Sequence, residues 1–243
     1  MTKLFPIILA ISIFAFANQP QQIVHCPTAG LAEHGKMLTQ LFVFPGDGLR
    51  AKVSLGILNF SQVGISYGAM RIFGRGSVKL DPMPGFELRF RILSEGVKTP
   101  AILIGLDTQG YGAYNKDLER YEHKSRGGYI VASKNWWWLS GNFGLHGGIN
   151  YSFEENFARG FSAFVGLDKD IKDAVGIRIE YDLAPGDNEP PRGNGYGYLS
   201  ASLSVHFAEN AWASMNFYDL LGNMPDVPSP SRELFVMFET AVF

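Results

Sequence analysis

From residue 37 to residue 243, apolar side chains recur at every second position in segments of about ten residues, each closed by a turn. In 86–92, Phe86, Leu88, Phe90 and Ile92 alternate with Glu87, Arg89 and Arg91. In 175–182, Val175, Ile177, Ile179 and Tyr181 alternate with Gly176, Arg178, Glu180 and Asp182. Successive strand side chains point to opposite faces, so each segment is apolar on one side and charged on the other. Repeated around a closed sheet, this is the pattern of an outer-membrane β-barrel. The pattern predicts strands over 37–44, 49–58, 63–73, 86–93, 101–109, 128–135, 143–153, 161–168, 175–183, 195–207, 211–219 and 233–243. The expected fold is all-β: a closed antiparallel transmembrane barrel of about 12 strands, each long enough to cross a bilayer when tilted.

The connections carry a second signal. Those following odd strands, 45–48, 74–85, 110–127, 154–160, 185–194 and 222–232, include nearly all the long, Pro/Gly-rich ones. Those following even strands, 59–62, 94–100, 136–142, 169–174 and 208–210, are mostly short. Outer-membrane barrels have short periplasmic turns and long extracellular loops, so both termini are expected in the periplasm. Trp136, Trp137 and Trp138 fall at a short turn, where amphipathic rings favour the membrane interface. Tyr111, Tyr114, Tyr129, Tyr151, Tyr196 and Tyr198 are expected at the opposite rim.

The one continuous apolar run, 4–17, follows Lys3 and ends in Ala15-Phe16-Ala17, the pattern of a cleaved signal peptide. This divides the chain into a signal peptide over 1–17, an N-terminal periplasmic segment over 18–35 and an outer-membrane barrel over 36–243. Cys26 is the sole cysteine, which excludes an intrachain disulfide; it reads as a free thiol in an N-terminal tail. The balance of 21 Lys+Arg against 23 Asp+Glu gives no support to a nucleic-acid partner.

If the apolar set faces lipid, the other set projects into the lumen: Arg50, Lys52, Glu87, Arg89, Arg91, Asp107, Gln109, His146, Asn150, Asp168, Arg178, Glu180 and Asp182, with Ser200, Ser202 and Ser204. Facing lipid, such charges cost several kcal/mol near the midplane. Two readings compete for this lining. Arg89 and Arg91 beside Asp107 would form ion pairs that close the bore, or rings of charge would select a solute in a narrow passage. An extracellular basic rim is expected from Arg71, Arg75, Lys79, Lys116, Arg120, Lys124, Arg126, Arg159 and Arg192, suited to lipopolysaccharide or an acidic polysaccharide.

Catalysis finds little support. His146 and Asn150 share a face and Ser152 follows, but no Gly-x-Ser-x-Gly motif is present. Asp168-Lys169-Asp170 and Asp187-Asn188-Glu189 lack the spacing of a calcium loop, so neither a metal nor a cofactor is expected.

The terminal Phe243, after Phe235, Val236, Phe238 and Val242, resembles the aromatic end that the barrel-assembly machinery reads in bacterial outer-membrane proteins. The stretches Pro27-Thr28-Ala29-Gly30-Leu31-Ala32, Val63-Gly64-Ile65-Ser66-Tyr67-Gly68, Pro84-Gly85-Phe86-Glu87-Leu88 and 105–112 resemble the YjbH-like family of outer-membrane barrels. That resemblance implies an envelope protein associated with exopolysaccharide production or export, without an assigned chemistry. The expected function is therefore a non-enzymatic envelope barrel, either a narrow channel or accessory component for exopolysaccharide or small polar solutes. The alternatives are a non-conducting structural barrel with an ion-paired lumen and a secreted carbohydrate-binding β-sandwich. Expected partners are outer-membrane lipid and lipopolysaccharide, the assembly machinery, and polysaccharide.

Overall fold

The computed structural model describes residues 19–154, 160–172, 174–225 and 227–243. The expected signal peptide lies outside these residues, as does Arg159 of the expected basic rim.

The alternating segments form twelve barrel strands: β1 (Lys36–Phe44), β2 (Gly48–Leu58), β3 (Ser61–Met70), β4 (Gly85–Leu93), β5 (Ala101–Asp107), β6 (Gly127–Trp137), β7 (Asn142–Tyr151), β8 (Phe161–Ile171), β9 (Val175–Asp182), β10 (Tyr198–Ala208), β11 (Ala211–Tyr218) and β12 (Ser231–Ala241). Each pairs antiparallel with its neighbours in sequence, and β12 returns to β1 from Lys36↔Ala241 to Val43↔Leu234, closing the sheet. Closure removes the unpaired edge, the condition under which a sheet can stand in hydrocarbon. Facing is unambiguous, since Phe86 is 57% exposed and Glu87 is 5% exposed. The outer surface of aliphatic and aromatic side chains, with charge turned inward, is that of a membrane-spanning barrel.

Long and short connections sort to opposite rims as expected. One rim carries 45–47, 71–84, 108–126, 183–197 and the described residues between β7 and β8 and between β11 and β12; the other carries 59–60, 94–100, 138–141, 209–210 and the described residues between β8 and β9. The barrel's two ends meet at the short-turn rim, where Val242 N donates to Gly35 O at 2.8 Å. Short strands also lie in two long connections. Lys79–Leu80 pairs with β3, while Tyr111–Asn115 and Arg120–His123 form a hairpin of their own.

The stretch expected as a periplasmic segment does not stand apart from the barrel. Residues 19–32 are almost wholly buried inside it, and Cys26, expected in a free tail, is fully enclosed. The chain makes a hairpin: Gln22 bridges to Pro27, Ile23 N donates to Cys26 O at 2.9 Å, and Thr28 N donates to Gln21 O at 3.1 Å. Both legs reach the short-turn rim, one through Gln19 to Glu95 in the 94–100 turn at 2.5 Å, the other through Gly35 N to Gly56 O at 2.9 Å. The physical reason lies in the wall. Strands β1, β5 and β12 present Leu38, Phe42, Phe44, Ala101, Leu103, Phe235 and Met237 inward, an apolar shelf that water would cover poorly. Ile23, Cys26, Ala29 and Leu31 dry one part of it and Ala32 another.

Candidate functional site in the barrel lumen

The wall is assembled from charged side chains that reach across small ones. On β3 the inward positions are Gln62, Gly64, Ser66 and Gly68. A Cβ on Gly64 would stand 2.5 Å from Ser54 Oγ and 3.1 Å from Glu87 Oε2. Its absence lets Lys52 on β2 span β3, placing Nζ 2.6 Å from Glu87 Oε1 on β4 and 2.9 Å from Asp107 Oδ2 on β5. Glu87 Oε2 accepts from Ser54 Oγ at 3.0 Å and Gln62 Nε2 at 2.9 Å.

Arg50, Lys52, Glu87, Arg89, Asp107, Gln109, His146, Asn150, Asp168, Arg178, Glu180 and Asp182 are all buried inside the barrel, and Arg91 is half-buried near the short-turn rim. The pairing expected between Arg89, Arg91 and Asp107 does not form. Register sets Asp107 opposite Glu87 and Arg89 opposite Gly105, so Asp107 takes Lys52 instead. Arg89 donates through Nε to Tyr129 Oη at 2.9 Å, and through one terminal nitrogen to Gln21 O at 2.8 Å and Thr28 O at 3.0 Å. Arg91 donates to Ala29 O at 2.9 Å. These arginines hold the N-terminal hairpin rather than a carboxylate.

The hairpin's tip is held by a single carboxylate. Glu180 on β9 accepts from Val24 N at 2.9 Å, His25 N at 3.1 Å and Cys26 N at 2.8 Å. Such a group of convergent amides is the arrangement that binds anions at turns.

From the long-loop rim, the 111–123 hairpin folds inward to meet it. Tyr111 stacks on His25 with ring centroids 3.8 Å apart, and Arg126 Nε donates to His25 O at 3.3 Å. Three members of the expected basic rim therefore do not face solvent freely. Arg120 holds Asp187 with both terminal nitrogens at 2.6 and 2.9 Å, Lys124 lies 3.2 Å from Asp187, and Arg126 pairs with Asp182. Burying the loop hairpin requires partners for its cations, and the acids of 182–187 supply them. Arg71, Arg75, Lys79 and Lys116 are exposed, and Arg192 is half-buried. Of the expected tyrosine rim, Tyr129 and Tyr198 stand at the long-loop ends of β6 and β10 with their rings buried, as is that of Tyr111.

These contacts give the loop hairpin a pH response. Burial pushes the His123 ring well below its ordinary 6.5, and His25, Arg120 and Arg126 push the same way. Burial raises the Asp187 carboxyl, but Arg120 and Lys124 outweigh it and hold the group below its ordinary range. Both folded values are depressed, so each stabilisation is complete above the unfolded value and lost as pH falls towards the folded one. The hairpin is expected to loosen first below about 6.5, as the opened histidine takes a proton that buried His123 refuses, and further below about 4 as Asp187 is neutralised. Hydrogen-exchange protection over 111–126, followed from about pH 8 to about pH 3, checks this. Protection that stays flat down to about pH 5 would exclude the histidine step.

His146, Asn150 and Ser152 do not converge as a catalytic set. Asn150 Nδ2 donates to Arg126 O at 3.2 Å, and Ser152 Oγ accepts from Glu154 N at 3.3 Å. His146 joins two residues on neighbouring strands, with Nδ1 2.8 Å from Ser133 Oγ and Nε2 2.5 Å from Asp168 Oδ1. Ser133 Oγ also accepts from Ala29 N of the N-terminal hairpin at 2.8 Å. With His146 and Asp168 side chains fully buried, this chain stitches hairpin to wall. Among the described residues, no group of three His, Cys, Asp or Glu side chains is placed to hold a metal.

Among the described residues, the cavities that border the hairpin are small. Two cavities beside the hairpin, one towards Lys52 and Arg89 and one towards Gln40 and Asn216, measure about 10 Å³ each. Each has room for about one water. A third, lined by His123, Asn150, Asp182 and Tyr198 at the long-loop mouth, measures about 40 Å³.

Among solved structures, the chain is similar to a KdgM porin, with a TM-score of 0.50 over 86% of this chain and 99% of that one at 12% identity. A NanC porin in a rhombohedral crystal form aligns with a TM-score of 0.43 over 85% and 100% at 8% identity. No family model and no curated protein matches the chain. The likeness to the KdgM porin is one of fold: it supports an outer-membrane type of barrel and not the YjbH-like resemblance.

Proposed function

We propose that this protein is an outer-membrane envelope barrel of a Gram-negative-type bacterium that its own N-terminal hairpin keeps closed. The observation that carries this reading is the hairpin itself, almost wholly buried from residue 19 to residue 32 with its tip on Glu180 and its flank on Arg89 and Arg91. A 12-stranded barrel is otherwise wide enough for a narrow aqueous passage. The short-turn rim, with both barrel ends and the Trp136–138 cluster, faces the periplasm in this reading. The long-loop rim offers Arg71, Arg75, Lys79 and Lys116 to lipopolysaccharide phosphates or an acidic polysaccharide. Exposed Phe243 is what the assembly machinery reads, and the YjbH-like resemblance supports service alongside exopolysaccharide.

Planar-bilayer recording of the intact, folded protein tests the closed state. Silent bilayers are expected, from samples whose electrophoretic mobility shifts on boiling as a folded barrel's does. Steady ohmic currents from the same samples would overturn the reading.

A further inference from the structure

The hydrogen bonds that hold the N-terminal hairpin end mostly on its main chain. Glu180 takes the amides of Val24, His25 and Cys26; Ser133 takes that of Ala29; and Gln62 Oε1 takes that of Ala32 at 2.7 Å. In the other sense, Arg89 donates to the carbonyls of Gln21 and Thr28, Arg91 to that of Ala29, and Arg126 to that of His25. Side chains are read at Gln19 against Glu95, Gln21 against Gln62, His25 against Tyr111, Tyr218 and Glu233, and Gln22 at 3.4 Å from Tyr111. Every peptide carries the same amides and carbonyls, so a wall that recognises them recognises a chain shape more than a sequence.

The wall is also cut to admit a chain. At Gly166 a Cβ would stand 2.2 Å from Ile23 Cδ1, and at Gly56 one would stand 2.1 Å from Glu33 O and 2.6 Å from Ala32 O. Within the hairpin, a Cβ on Gly30 would meet Gln19 O and Pro20 O, each at 2.6 Å, so the legs pack closely enough to fit the bore together. Against the apolar shelf the hairpin places Ile23, Cys26, Ala29 and Leu31 on one part and Ala32 on another.

We propose that the inner wall is a binding site for polypeptide main chain in hairpin form, and that residues 19–33 are its resident, exchangeable ligand. This rests on the closed-barrel reading and adds that the closure is a binding equilibrium. Both legs pass through the short-turn rim, so the hairpin leaves tip last without opening the sheet. The tie to β1 runs through Glu33 and His34, both exposed. On departure Arg89, Arg91 and Glu180 regain water, while the shelf stays apolar until another chain with apolar side chains covers it.

The test uses the full chain, with a protease recognition sequence inserted between Glu33 and His34, folded in detergent and then cleaved, so that the barrel never has to fold without its hairpin. A synthetic peptide of residues 19–33 carrying a fluorophore at Gln19 is added. The expected result is that the cleaved protein keeps its own hairpin through gel filtration, exchanges it for labelled peptide over time, and conducts intermittently in bilayers until excess peptide silences it. A peptide N-methylated at Val24, His25 and Cys26 should compete more weakly by about tenfold or more, the effect of losing charge-assisted hydrogen bonds. A peptide with Gln21 and Gln22 replaced by Ser should compete within a few-fold. No exchange, or equal competition by the N-methylated peptide, overturns the proposal while the uncleaved protein remains silent. Currents from the uncleaved protein overturn instead the closed-barrel reading beneath it.

Discussion

Replacing Lys52 with Met is expected to destabilise the barrel by about 3–5 kcal/mol, the usual consequence of removing one partner from a buried ion cluster. Lys52 is 6% exposed and is the cation shared by Glu87 and Asp107, which register sets directly opposite each other. Without it two buried carboxylates face each other on adjacent strands, a destabilising pair. Arg89, the next cation on β4, has its Nε committed to Tyr129 and a terminal nitrogen to hairpin carbonyls. Methionine keeps the length of the side chain, so the loss is electrostatic and not a cavity. Combining Lys52→Met with Glu87→Gln and Asp107→Asn removes the repulsion and should recover most of the stability. The midpoint of urea unfolding in lipid vesicles measures both. A single variant that unfolds at the wild-type midpoint would show that water already serves these carboxylates.

Truncating Glu180 to Ala is expected to leave the barrel folded and release the hairpin's tip. Three buried amides lose their acceptor at once. An unsatisfied buried group costs about 1–3 kcal/mol, and water entering the space offsets part of the sum, so a net loss of about 3 kcal/mol is expected. That corresponds to about a hundredfold rise in the population of open hairpin. Cys26 reports it: the thiol is the sole cysteine, is 0% exposed and sits at the tip. Its labelling by maleimide should be slow in the folded wild-type protein, faster in Glu180→Gln, where an amide oxygen still accepts, and fastest in Glu180→Ala. Equal labelling in all three would mean that the apolar shelf holds the tip without the carboxylate.

The strands were legible because period-2 alternation is a local property. Phe86 to Ile92 and Val175 to Asp182 have only one register that keeps charge out of lipid, and each strand carries that instruction itself. The sorting of connections was legible for the same reason, since loop length is written directly in the chain. Alternation separates two faces, however, and does not say what fills the inner one. The signal that was present lay in strands apolar on both sides: Leu38, Phe42 and Phe44 on β1, Leu103 on β5, and Phe235 and Met237 on β12. A wet lumen has no use for them, so they require a dry occupant, but nothing local identifies residues 19–33 as that occupant.

Which inward charges pair was likewise beyond local reading. Arg89 and Asp107 share a face, yet the β4–β5 register offsets them, and the partner Lys52 reaches Asp107 from three strands away over Gly64. Arg120, Lys124 and Arg126 read as rim charges because they lie in a long loop. Only the loop's descent into the barrel, where Asp182 and Asp187 wait, turns them inward. The sequence by itself determined the barrel, its strand facing and the sorting of its loops, since each follows from spacing along the chain. Tertiary structure alone decided what occupies the lumen, because that depends on segments far apart in sequence competing for the same dry space.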